Sequence, residues 1–290
     1  MLSKATLLLS MLLFSFSALA QKAKPASKTT TLDLSEALRQ KLVAVEVSGT
    51  GGHLGECLTV TARNLSGKSL RVRIPLGQYF EPADSAQQTL VVSEARSLAL
   101  NGKSPVKTTL KTFCAQAGDL SPRAGAGFVA GAMAPERLCK LLKFIAETGK
   151  SAESSAQSAV WCVTNGHALG SIGDPELTKF TAELLGKTPP GYRIRYETRV
   201  IRPGERAQPG KALVVEGSYQ YILEKNTKVT MLLLHDDGRL IKKLSKEEDM
   251  TAGEHRGSLH LEVYNLPTGK YIVRWQTREG LIIKDIPVEF

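Results

Sequence analysis

Cysteine and histidine do covalent, acid–base and metal chemistry most readily, and this chain holds four of the first and five of the second. Cys57, Cys114, Cys139 and Cys162 all precede residue 163. None is spaced C-x-x-C, which argues against a zinc knuckle or a thioredoxin-type redox pair. His53 and His167 stand beside glycines in loop-like sequence, His235 precedes Asp236-Asp237, His255 lies in a turn, and His260 alternates with apolar residues. The chain has no H-E-x-x-H or G-x-S-x-G motif, so zinc-protease and nucleophile-elbow serine chemistry have no local support. A pairing of Cys114 with His167 as nucleophile and base is the arrangement left to a hydrolase. The acidic clusters Asp236-Asp237-Gly238 and Glu247-Glu248-Asp249 lack the D-x-D-x-D-G spacing of a calcium loop and read as solvated turns. Gly125, Gly127 and Gly131 depart from the dinucleotide fingerprint. No metal and no cofactor is expected.

The elements that must position these residues change character along the chain. Leu34, Leu38 and Leu42 mark one face of a short helix. Leu58 to Ala62 and Leu70 to Ile74 then alternate apolar and polar residues, the mark of half-buried strands, with strand-like runs at 89–92, 97–100 and 106–113. Residues 118–131 read as loop. Three helices are expected next: Pro135 to Gly149, Ser154 to Val163, and Asp174 to Gly186, the last with an Asp N-cap and Pro at N1. Thr188-Pro189-Pro190-Gly191 breaks both periods and sets the domain boundary. Beyond it, about seven short strands separated by turn signals predict an immunoglobulin-like sandwich. The fold class is mainly β: an N-terminal β-sandwich or barrel with a helical insertion, then a C-terminal immunoglobulin-like β-sandwich. The expected segments are 1–20, 21–31, 32–187 and 191–290.

Residues 1–20 predict the address. A basic start at Lys4, an apolar run from Ala5, and Ala18-Leu19-Ala20 before Gln21 form a cleaved secretory signal peptide. Residues 21–31 read as a flexible start to the mature chain. No other stretch approaches the ~18 apolar residues of a membrane span, so the mature chain carries no transmembrane segment. Export makes disulfides the default for Cys57, Cys114, Cys139 and Cys162, and four cysteines allow three pairings. The net charge of +10 is spread along the chain, and no nucleic-acid motif accompanies it. Nucleic acid is therefore excluded as a partner, and an unidentified protein or polysaccharide at the cell surface is expected.

Two resemblances sharpen this reading. Cys114 ends a strand-like run in Lys-Thr-Phe-Cys-Ala-Gln, and Gln157 lies in Ser-Ala-Gln-Ser-Ala-Val-Trp161, after an intervening helix. The arrangement resembles the thioester domains of bacterial surface adhesins, in which a strand-borne cysteine joins a glutamine of a Thr-Gln-x-Ala sequence. Here Ala156 stands where that motif has threonine. The resemblance covers roughly residues 58–165 and implies an acyl bond between Cys114 and Gln157 that a surface amine displaces. Farther on, Leu234 to Leu244, Thr251 to His255, and Asn265-Leu-Pro-Thr-Gly-Lys-Tyr271 resemble the C-terminal sandwich modules of type IX secretion cargo. Flagellar hook-capping proteins carry a similar module. The chain ends Pro-Val-Glu-Phe, without the basic residue usual near the end of such cargo.

The expected function is that of an exported, non-enzymatic envelope protein used for surface attachment or binding, in the periplasm or at the cell surface. A structural envelope assembly component and a secreted hydrolase are the alternatives.

Overall fold

Period-two alternation becomes strand wherever one face can be buried, and the computed structural model shows how those faces close on one another. It describes residues 30–290. The expected signal peptide and most of the segment 21–31 lie outside the described residues. Thr30 and Thr31, expected to be flexible, instead open β1 (Thr30–Asp33), followed by α1 (Leu34–Arg39) and β2 (Val43–Gly49). Then come β3 (Leu54–Asn64), β4 (Leu70–Ile74), β5 (Gln78–Pro82), β6 (Leu90–Val92), β7 (Arg96–Leu100), β8 (Val106–Cys114) and β9 (Gly127–Met133). Strands β2-β3-β8-β6-β5-β9 close into a barrel, and β1-β4-β7 form a separate sheet. Leu58, Val60, Ala62, Phe80, Leu90, Leu110 and Cys114 are buried in a core shared with Val72, Ile74 and Leu100 of the second sheet.

Part of the stretch expected to be loop, 118–131, is strand. β9 pairs with β2 on one side and β5 on the other, which closes the barrel. A neighbouring group comes close at one of its two glycines, Gly131, and another does at Gly49 of the partner strand β2. A Cβ on Gly131 would lie 2.6 Å from a Glu81 carboxylate oxygen, and one on Gly49 of β2 would lie 2.5 Å from the Arg123 carbonyl oxygen. Glycine in a strand often marks such an approach rather than a break.

Three helices follow where the 3.6-residue stripes require them: α2 (Glu136–Glu147), α3 (Ser154–Asn165) and α4 (Pro175–Leu185). Leu138, Leu141, Leu142 and Ile145 of α2 pack with Ala156, Ala159 and Val160 of α3 and with Val91 and Phe113 on the barrel wall. The Asp174 side chain caps α4 by accepting the Leu177 N–H at 2.8 Å. Gly166 and Gly186, both left-handed, end α3 and α4.

The C-terminal part is all β: β10 (Tyr192–Tyr196), β11 (Ala212–Leu223), β12 (Thr227–His235), β13 (Leu240–Lys243), β14 (Glu248–Met250), β15 (Gly253–Glu262), β16 (Lys270–Thr277) and β17 (Ile282–Glu289). The sheet β10-β11-β15 faces β13-β12-β16-β17, the two-layer arrangement of an immunoglobulin-like sandwich. Val215, Leu233, Leu261, Tyr271, Val273 and Trp275 fill the space between them.

Residues 197–211 leave this sandwich and return to the barrel. Ala207 is fully buried in the barrel core. Its N–H donates to the Asp119 carbonyl, and its carbonyl accepts from Gly118 N–H at 2.9 Å. Ser121 donates from Oγ to the Arg202 carbonyl and from N–H to the Glu205 carbonyl. Contacts between the two halves therefore continue well past the Pro189-Pro190 break. Among the described residues, no helix is long and apolar enough to cross a membrane.

Candidate functional site

Residue 114 sits where the barrel ladder runs out of partners. Phe113 is the last residue of β8 opposite β3, facing Leu54. On the other side Ala115 N–H donates to the Thr89 carbonyl at 2.9 Å. The backbone groups of Cys114 point the opposite way, beyond the start of β3. Left there in a dry interior they would lack partners, which costs about 1–3 kcal/mol per group.

Gln157 fills that gap. Placed on the second turn of α3, it is 3% exposed. Its Oε1 accepts the Cys114 N–H at 2.9 Å, and its Nε2 donates to the Cys114 carbonyl oxygen at 2.8 Å. The carboxamide acts as one further residue of the missing strand. Cys114 and Gln157, 43 positions apart in sequence, are therefore in direct contact, and the carboxamide lies beside the residue that carries the sulfur. The Cys114 N–H already polarises the carbonyl that a nucleophile would attack, as an oxyanion donor does.

The sulfur is a protonated thiol in this setting. Burial, with a smaller contribution from nearby Cys57, pushes the Cys114 pKa well above the usual thiol value. The disulfides expected among the four cysteines are not formed, and all four are free. Cys57 and Cys114 belong to the barrel core and Cys162 to the helical core, with Cys139 packed against the latter. Cys139 Sγ donates to the Ala134 carbonyl and Cys162 Sγ to the Ala168 carbonyl, each at 3.4 Å. Burial raises the thiols of Cys57 and Cys162 to about 11.

A cavity of about 400 Å³ reaches Gln157 from outside. Its walls are His53 and Leu54 before and at the start of β3, Ser154, Ser158 and Trp161 of α3, and the strand and arm from Ile194 to Arg199. Gln208 to Gly210 complete it. The second half of the chain thus supplies one wall of the approach to a residue of the first. The sequence carried no local signal for that wall. The site needs the path of residues 197–211, and nothing in their composition announces it. A larger cavity, about 760 Å³, lies between Pro189-Pro190 and strands β11, β16 and β17. It does not include Gln157; Cys114 lines neither cavity, and Gln157 alone selects the smaller one.

The remaining candidates separate. His167 meets the Trp161 ring, with centroids 5.8 Å apart, and shows no hydrogen bond to Cys114 that would make the hydrolase pair. His255 Nε2 lies 2.8 Å from the Thr251 carbonyl oxygen. His235 packs against Tyr271, and His260 is an exposed neighbour of Glu216. Asp237 binds the backbone and side chain of Arg239, while Glu247 and Asp249 flank Lys228. Among the described residues, no three His, Cys, Asp or Glu side chains converge as metal ligands.

No protein-family description matches the chain, and neither does any curated protein. Comparison with solved structures finds a crystal structure of selenomethionine-labelled β-glucosidase from Kluyveromyces marxianus, with 10% identity and a TM-score of 0.18. The match covers 80% of this chain and 44% of the other, and a score that low transfers neither fold nor activity.

Proposed function

We propose that this chain is an exported, non-enzymatic protein of a bacterial envelope that attaches to a surface partner through a thioester between Cys114 and Gln157. One observation carries the proposal: the Gln157 carboxamide is held on the backbone of Cys114 by two hydrogen bonds, in a buried site that a cavity reaches. The same contact supports the resemblance to thioester domains of surface adhesins despite Ala156.

The step balances without a cofactor. Cys114 sulfur attacks the Gln157 carboxamide carbon, and a carbon–sulfur bond forms as the carbon–nitrogen bond breaks. The thiol proton passes to the departing nitrogen, and ammonia leaves. The dry interior protects the product from water until a nucleophile enters the cavity. That nucleophile becomes joined to residue 157, and the Cys114 thiol is returned. The barrel and helices hold the reactive pair, and the C-terminal sandwich serves as a spacer or second binding module.

A packing-only role for Gln157 draws on the same two hydrogen bonds, so chemistry must separate the readings. Methylamine added to the native protein is expected to leave one methylamide on Gln157 and to release one additional titratable thiol. Cys114→Ala is expected to abolish both. A wild-type protein in which Cys114 is already titratable after denaturation, and in which methylamine modifies nothing, would leave only the packing role.

A further inference from the structure

Strand β11 is longer than the neighbour that covers it. It runs over Ala212–Leu223, and β15 pairs with it along residues 214–223. On the other side β10 pairs only as far as Gly217, opposite Tyr192. Pro189 and Pro190 stand just before. They have no N–H to give a ladder, so β10 cannot begin earlier. The phase of the ladder shows which groups of β11 are left over. Val263 N–H donates to the Leu213 carbonyl at 2.9 Å, and bonded pairs alternate with unbonded ones along an antiparallel ladder. Tyr219 and Tyr221 therefore bond β15, while Ser218, Gln220 and Ile222 turn their N–H and carbonyl groups away from it. Those groups have no protein partner among the described residues, and Ile222 is 70% exposed.

This edge borders the 760 Å³ cavity, with Ser218, Tyr219 and Gln220 on one side and residues 284–289 of β17 on the other. β17 is an edge strand too, but a blunted one. Gly269 and Phe290 exchange both backbone hydrogen bonds, so the same alternation turns Glu289, Pro287 and Asp285 outward. Glu289 N–H is taken by the Tyr192 hydroxyl at 2.9 Å, and Pro287 has no N–H to offer. The outward groups of β11 carry no such protection.

We infer that the free edge of β11 at residues 218–222 binds an extended, acidic segment of a partner protein as an added strand. The inference does not depend on a bond between Cys114 and Gln157. Lying antiparallel, the segment exchanges two backbone hydrogen bonds with each of Ser218, Gln220 and Ile222 and continues the line of β10. Its alternate side chains face the cavity, where Tyr219 and Ile286 are half-buried. Charge sets the sign of the partner. Lys187, Lys270 and Lys284 line the cavity against Asp236 and Glu289, while the Asp285 carboxylate is taken up by Arg274 at 2.7 Å. The excess is positive, as it is over the whole chain at +10, and it favours a negatively charged segment.

Amide hydrogen exchange on the mature chain tests this, with a seven-residue peptide of alternating valine and glutamate as probe. In the free protein the amides of Ser218, Gln220 and Ile222 should exchange fast and those of Tyr219 and Tyr221 slowly. The peptide should slow all three fast amides. A peptide with lysine in place of glutamate should bind on the order of tenfold more weakly. Gln220→Pro removes the central N–H and leaves the ladder to β15, so it should abolish the protection. Lys270→Glu combined with Lys284→Glu should reverse the preference between the two peptides. Slow exchange at Tyr219 and Tyr221 shows that a variant is folded, and if Gln220→Pro loses it the lysine pair decides. The inference is overturned if the three amides are already slow in the free protein, if millimolar peptide leaves them fast, or if a folded Gln220→Pro binds as wild type does. Protection that grows with protein concentration in the absence of peptide assigns the edge to a second copy and overturns it as well.

Discussion

At the scale of single residues, the Gln157 carboxamide contacts the Cys114 backbone, and substitutions can separate that contact from the proposed bond to the sulfur. Gln157→Ala leaves the Cys114 N–H and carbonyl without partners in a dry interior. It is expected to destabilise the protein by about 2–4 kcal/mol in denaturant unfolding. Compared with wild type in which the thioester has not formed, Cys114→Ala keeps both backbone hydrogen bonds and removes only a thiol from the core, at a cost on the order of 1 kcal/mol. Equal losses from the two substitutions would contradict the account of Gln157 as a surrogate strand residue. The pair itself was legible in the sequence through its resemblance to a known motif. Its hydrogen bonding was not, because it depends on β3 beginning at Leu54, one pairing short of Cys114. The expected disulfides failed on a related point. Cysteine count and export set a default, but all four thiols are free, Cys57 and Cys114 in the barrel core and Cys139 and Cys162 at the helical core.

At the scale of elements, the strongest local signals were the most faithful. The stripe of Leu138, Leu141, Leu142 and Ile145 gave a helix, and Asp174-Pro175 marked the start of another. Removing that cap by Asp174→Ala is expected to cost about 1 kcal/mol. The substitution also removes the 2.7 Å hydrogen bond from Lys150 Nζ to Asp174 Oδ2, leaving Lys150 with Glu176 at 3.6 Å. Burial alone would raise the Asp174 pKa, but the hydrogen bonds from Leu177 and Lys150 and the lysine charge lower it overall. Its stabilising contribution is therefore complete above the unfolded carboxyl value of about 3.9 and is lost as pH falls through the lower folded value. Stability followed from pH 6 down to pH 2 should show a smaller acid-induced loss in Asp174→Ala than in wild type. Strand β9 was hidden because its glycines imitate a loop. A close neighbour accounts for Gly131 and, on the adjoining strand β2, for Gly49; Gly49→Ala should cost about 1–3 kcal/mol by driving a methyl group into the Arg123 carbonyl. A neutral effect in thermal unfolding would contradict the close approach that seals the barrel.

At the scale of the whole molecule, the two halves are joined by more than the Pro189-Pro190 connection. Residues 197–211 reach back, bury Ala207 in the barrel core and wall the approach to Gln157. Composition favoured a boundary at the prolines, and no periodic pattern could show that the chain returns after one strand. Ala207→Asp places an unpaired charge in that core, which should destabilise the barrel strongly. Calorimetry should also show the two halves unfolding less cooperatively than in wild type. The account as a whole stands on the covalent bond. Intact-mass spectrometry of the mature, unreacted protein tests it most directly. The expected result is a mass about 17 Da below that of the sequence, one ammonia, restored to the full value in Cys114→Ala. A wild-type mass equal to that of its sequence, with Cys114 and Gln157 recovered as unmodified residues, would contradict it.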